Sequence, residues 1–150
     1  MKRFQWQRVV LIVVALFVAS LMGCAGTARQ TGPFTVKQLE AMAAKHVTSI
    51  TVEQAEADIE SRKFVVILDV REPKEYKMGH MPNAINIPRG ILEYKVEGKI
   101  SDKNTPILVY CKVGGRGTFS AEVLGKLGYA NVFNLSGGWQ SWEKAGYPVE

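Results

Sequence analysis

Two stretches limit what this chain can fold into: Phe64 to Val70, FVVILDV, and Pro106 to Tyr110, PILVY. Apart from Asp69 near the end of the first, both are apolar at consecutive positions, where a strand with one wet face would alternate, so each must be covered on two sides. Helical patterns surround them. Val36 to Lys45 follows a capping-box start at Thr35 with Gln38, and Val52 to Ser61 follows a second threonine. A short helix begins at Pro73, and Gly117 to Leu127 and Gly138 to Ala145 read as later helices. Val47 to Ile50, Ala84 to Ile87 and Val132 to Leu135 are further strands, and Ile91 to Val96 offers one or two helical turns. This alternation predicts an α/β fold, a mainly parallel sheet with helices on both faces. The echo between TVKQLEA at Thr35 and TVEQAEA at Thr51 is the coincidence of two capped helix starts, since its spacing is below the periods of repeat architectures.

Ligands of such sheets bind beyond the carboxyl ends of the strands. The two buried runs end there in Asp69-Val70-Arg71 and Tyr110-Cys111, and the second continues as CKVGGRGT into a helix. Cys111 is thereby placed above a helix N-terminus, whose unpaired amides carry partial positive charge. Gly114, Gly115 and Gly117 let the backbone curl so that several N–H groups point inward as an anion cradle. Such surroundings favour the thiolate, the nucleophilic form of cysteine. Arg116 adds a planar cationic fork and Lys112 a second cation, which together suit an anionic substrate.

The chain opens differently. A basic start, MKRFQWQR, leads into the apolar run Val9 to Ala19 and then SLMGC, the pattern of an export signal. The run is shorter than the roughly 20 residues of a membrane-spanning helix. Leu21-Met22-Gly23-Cys24 resembles a bacterial lipobox, in which cleavage before Cys24 leaves that residue carrying lipid; Met22 is larger than the small residue usual there. An uncleaved signal anchor is the competing reading. Residues 1–23 are therefore read as the signal peptide, 24–46 as a tether and extra helix, and 47–150 as the principal domain. The formal charge of +5 depends on that signal: without residues 1–23 there remain 16 basic and 14 acidic side chains, too even a balance to argue for a nucleic-acid partner. Lipidation of Cys24 would leave Cys111 as a lone thiol in an exported domain, either packed or reactive.

Three separated motifs, DVREPKEYKMGHMPNAINIP from Asp69 to Pro88, YCKVGGRG and LSGGWQSWEKAGYPV, together resemble a single-domain rhodanese over about Val47 to Glu150. The resemblance implies a five-stranded rhodanese-like fold and sulfurtransferase chemistry without a cofactor. A cysteine would take a sulfane sulfur from an anionic donor such as thiosulfate, hold it as a persulfide, and pass it to a thiol or cyanide. Residue by residue, it implies Cys111 as nucleophile and Lys112, Val113, Gly114, Gly115 and Arg116 as the loop whose amides hold the outer sulfur. Gly117 and Thr118 stand where many relatives have a small residue or serine, so a hydroxyl contact is expected to be missing there. Relatives that act on phosphate or arsenate place five residues between cysteine and arginine. Here Cys111 and Arg116 enclose four, which favours sulfur.

Other readings compete. The domain is alternatively a sulfur carrier or protein-binding module without turnover, and Cys111 a packed strand-end cysteine. Asp69 and Arg71 are expected to brace the loop. His80 is expected to hold a turn, and Trp139, Trp142 and Tyr147 to be core or lid aromatics. His46 is placed on a surface helix, and Glu72, Lys74, Glu75 and Lys77 on a solvated helix face. No metal-ligand cluster is legible. The whole is read as an exported, lipid-anchored protein facing the periplasm or cell exterior.

Overall fold

A computed structural model of the protein describes residues 32–150, of which Phe34–Glu150 form one compact unit. The export segment, the lipobox with Cys24 and the tether as far as residue 31 lie outside the described residues.

In chain order the unit contains α1 (Val36–Ala43), β1 (Thr48–Ile50), α2 (Val52–Glu60), β2 (Val66–Asp69), α3 (Pro73–Lys77), β3 (Ile85–Asn86), α4 (Leu92–Lys99), β4 (Ile107–Tyr110), α5 (Gly115–Lys126), β5 (Val132–Leu135) and α6 (Gly138–Lys144). Single 3-10 turns follow α1 and precede α4. The sheet order is β1-β5-β4-β2-β3, and every pairing is parallel. The fold is therefore rhodanese-like α/β, as the motifs imply.

The continuous apolar runs are explained by two cores. On β4, Leu108 and Tyr110 point into one layer with Trp139, Trp142 and Met81, while Ile107 and Val109 point into the other with Leu92, Val96 and Leu124. β2 divides likewise between Ile67 and Leu68. Each of these fully covered aliphatic side chains contributes up to about 1.5–3 kcal/mol of transfer free energy. A strand with a polar alternate position would forfeit one layer.

Local signals set the helix starts. Thr35 accepts the Gln38 amide while the Gln38 side chain accepts the Thr35 amide, and Thr51 accepts the Gln54 amide. Each such cap stabilises its helix by about 1 kcal/mol. α5 begins at Gly115, two residues before the expected Gly117, because Gly114 takes φ +108° and lets the chain enter the helix immediately. Arg116 consequently sits in the first turn of α5.

Candidate active site

β4 delivers Cys111 to the carboxyl edge of the sheet, one residue past Tyr110. Strand alternation turns its side chain into the Leu124 layer, where it is 1% exposed. It is nonetheless not a purely apolar environment. The Gly114 amide donates to Cys111 Sγ at 3.2 Å. Among the described residues, the amides of Val113, Gly115, Arg116 and Gly117 find no acceptor in the chain. They stand at the positive end of a 12-residue helix that has neither a side-chain cap nor an acid in its first turn. The loop therefore presents donors without a built-in anion of its own.

Two sets of contacts hold this loop. From inside, the Thr118 amide and hydroxyl both donate to the Gly114 carbonyl, at 2.8 and 3.2 Å. The Thr118 hydroxyl, the first after Arg116, is thus used as a brace of the loop backbone. Asn134, from β5, donates to Thr118 Oγ1 at 3.2 Å, and its Oδ1 occupies the space a side chain at 117 would fill. From outside, the N-terminus of α6 grips the loop: Trp139 N–H donates to the Cys111 carbonyl at 2.7 Å and Gln140 N–H to the Lys112 carbonyl at 3.1 Å. This approach requires Gly138, since a Cβ there would collide with the Cys111 carbonyl and come within 3.0 Å of the Lys112 and Val113 backbone.

Asp69 and Arg71 form a buried pair at the end of β2. Arg71 Nε and Nη2 donate to the Asp69 carboxylate at 2.9 and 2.7 Å, and Nη2 also donates to the Gly79 carbonyl at 2.7 Å. Burial alone would lower the Arg71 pKa; the hydrogen bonds and charge of Asp69 more than offset it and leave it raised. The guanidinium carbon lies 4.6 Å from the Trp139 ring centre and 5.5 Å from that of Tyr110. Burial, followed by the Asp69 charge, holds the Tyr110 hydroxyl well above the usual phenol range, and it serves as acceptor for the Met81 amide.

The partner of Arg116 corrects the sequence reading of Glu75. The Arg116 fork is already engaged, donating to both oxygens of Glu75 at 2.8 and 2.9 Å. Glu75 therefore does not belong to a solvated helix face. It also accepts the Glu72 amide in the first turn of α3, and the Arg116 hydrogen bonds hold its carboxyl down at about 2. Its pairing with a residue 41 positions away left no signal in the sequence beyond an acid at a helix start.

A cavity of about 220 Å³ opens beside the loop. Arg71, Glu75, Gly79, Lys112, Trp139 and Gln140 contribute to its walls, while Cys111 lies beneath the loop and does not. His80 has the expected turn role: its ring stacks on Tyr76 with centres 3.8 Å apart, and its backbone exchanges two hydrogen bonds with Glu150. His46 is exposed, and Trp142 is buried with its ring N–H on the Pro148 carbonyl. No cluster of metal-ligating side chains occurs among the described residues.

Comparison with known proteins gives the same picture. Residues 51–145 match the model of the rhodanese-like domain. A mitochondrial Schizosaccharomyces pombe protein named for thiosulfate sulfurtransferase is 36% identical over 53% of this chain, which spans 64% of that protein's length. The thiosulfate sulfurtransferase PspE of Escherichia coli is 36% identical over 47% of this chain and 67% of its own. Among solved structures, RPA3614 from Rhodopseudomonas palustris, described as a protein of unknown function and possible tyrosine phosphatase, has a TM-score of 0.74 at 27% identity, covering 81% of this chain and 98% of that one. A rhodanese-related protein of Thermoplasma volcanium has a TM-score of 0.60 at 37% identity, covering 69% and 97%. With its parallel five-stranded sheet, its loop cysteine above a helix N-terminus and this match over most of the described unit, the chain belongs to the rhodanese-like domain family.

Proposed function

We propose that the protein is a sulfurtransferase in which Cys111 carries the sulfur. The observation that supports this most directly is the Gly114 amide on Cys111 Sγ, with unclaimed amides around it at the start of α5. A terminal persulfide sulfur is a small anion one bond longer than the thiolate, and such a nest of donors suits it. With thiosulfate as donor, the Cys111 thiolate attacks the outer sulfur, the S–S bond of thiosulfate breaks, and sulfite leaves with the electron pair. An acceptor thiolate or cyanide then attacks the outer sulfur of the persulfide and restores the Cys111 thiolate. Lys112, Arg71 and the cavity beside the loop give an anionic donor its approach, and Arg116 is held in place by Glu75 rather than offered freely.

The test is an intact-mass measurement of the full-length chain after incubation with thiosulfate. A gain of one sulfur atom on the wild type and none on Cys111→Ser is expected; a gain that survives in Cys111→Ser assigns the sulfur elsewhere. A second reading has a specific observation behind it. Because Cys111 is 1% exposed, the site is well suited to storing sulfur, and one equivalent loaded without turnover toward cyanide or a dithiol would make the domain a carrier. Hydrolysis of an aryl phosphate without persulfide formation would instead support the phosphatase description given to RPA3614. The four-residue spacing from Cys111 to Arg116 argues against it.

We place the domain outside the cytoplasm on a lipid anchor at Cys24, with thiol, cyanide and small anions as its partners and no cofactor. The basis is the order of basic start, short apolar run and Leu21-Met22-Gly23-Cys24. Detergent partitioning that differs between wild type and Cys24→Ala supports lipidation, and identical partitioning leaves an uncleaved signal anchor.

A further inference from the structure

α1 precedes the segment matched by the family, residues 51–145, and packs against α5, the helix that begins at the sulfur-binding loop. One of its side chains reaches that loop. The carboxylate of Glu40 lies over Gly115, so that a Cβ there would meet Oε1 at 3.1 Å, Cδ at 3.3 Å and Oε2 at 3.4 Å. Gly115 is the first residue of α5 and the place where its unclaimed amides begin. Among the described residues Glu40 makes no ion pair or side-chain hydrogen bond, and the nearby Arg116 is already held by Glu75. α5 has no acid in its own first turn; of the carboxylates that other elements bring to it, Glu75 is neutralised by Arg116, while Glu40 lies against Gly115.

We propose that Glu40 is a specificity-determining residue, an acid set against Gly115 of the Cys111 loop whose field discriminates among sulfur donors by their charge. It rests on the sulfur-transfer reading above. A doubly charged donor such as thiosulfate approaches Cys111 against this carboxylate, a singly charged thiosulfonate meets half the repulsion, and a neutral trisulfide meets none. From thiosulfate or the thiosulfonate Cys111 takes the outer sulfane sulfur as its persulfide, and sulfite or a sulfinate departs with the electron pair. With the trisulfide its thiolate attacks the central sulfur and expels an alkanethiolate, which then attacks the remaining alkyl-bearing sulfur, so that a dialkyl disulfide leaves and the Cys111 persulfide remains. The same carboxylate draws α1 toward the helix end, but that structural role is blind to the donor's charge.

The experiment measures kcat/KM of the full-length chain with thiosulfate, methanethiosulfonate and a neutral dialkyl trisulfide, for wild type, Glu40→Gln, Glu40→Lys and Glu40→Asp. For Glu40→Gln we expect a rise of about three- to tenfold with thiosulfate, the scale of one charge acting on a dianion in a partly wetted site, a smaller rise with the thiosulfonate and none with the trisulfide. The gain should lie in KM, increase further in Glu40→Lys, and be reversed in Glu40→Asp, which keeps the charge. Changes of equal size for all three donors, or a Glu40→Asp protein that behaves like Glu40→Gln, would overturn the role. Should Glu40→Gln fold poorly, the donor order in Glu40→Lys and Glu40→Asp decides the matter in the same way. Wild-type protein that forms no persulfide with any donor overturns the sulfur-transfer reading itself, whereas normal persulfide formation with unaltered KM in the variants overturns Glu40 alone.

Discussion

Glu75 and Arg116 meet through two parallel hydrogen bonds of 2.8 and 2.9 Å, joining the short helix after β2 to the first turn of the helix that carries the cysteine loop. The pair fixes where the loop's guanidinium lies. It also shows that the cation most readily assigned to substrate in the sequence has a carboxylate partner within the fold.

This pair makes a pH-dependent contribution to stability. The Glu75 carboxyl is held at about 2 in the folded protein, below its ordinary value of 4.5, mainly by the Arg116 hydrogen bonds. A depressed acid stabilises the fold above its unfolded pKa and ceases to do so as pH falls through its folded one. Both side chains are about one-third exposed, so solvent screening reduces the effect to about 1 kcal/mol. Urea unfolding should therefore find Glu75→Gln less stable than wild type by about that amount at pH 7. The gap should narrow between about pH 5 and pH 2, and a constant gap would assign the loss to packing instead.

Asp69→Asn should be more damaging. Asp69 is fully buried and Arg71 3% exposed, so removing the carboxylate leaves a buried cation without its counter-charge. The expected cost is about 3–5 kcal/mol in urea or thermal unfolding. A loss below about 1 kcal/mol would mean that water from the adjacent cavity reaches Arg71 and replaces the lost partner.

Gly138→Ala tests the grip of α6 on the loop. The residue has φ +58°, and its new Cβ would press on the Cys111 carbonyl and on backbone of Lys112 and Val113, none of which can turn aside as a side chain can. We expect a stability loss of at least about 2 kcal/mol, from strain and contact together. Persulfide formation should fall with it, as the loop is pushed away from the Trp139 and Gln140 amides. Gly125→Ala, in open space on α5, is the control and should be neutral or slightly stabilising.

Much of the molecule was legible in the chain because its causes are local. Consecutive apolar residues at 64–68 and 106–110 require cover on two faces, threonines at 35 and 51 cap the helices they precede, and glycines after Cys111 permit the turn that brings its sulfur to an amide. These follow from hydrogen-bond and steric demands within a few residues. The partners of the charged groups did not follow. Glu75 with Arg116 and Glu40 with Gly115 are separated by 41 and 75 positions, and a Coulomb or contact energy depends on distance in space, which only the packing of α1, α3 and α5 around the sheet supplies. The sequence by itself determined the strands, the turn and the cysteine at its start, while the tertiary structure alone decided which charges surround that cysteine and which of them are already paired with each other.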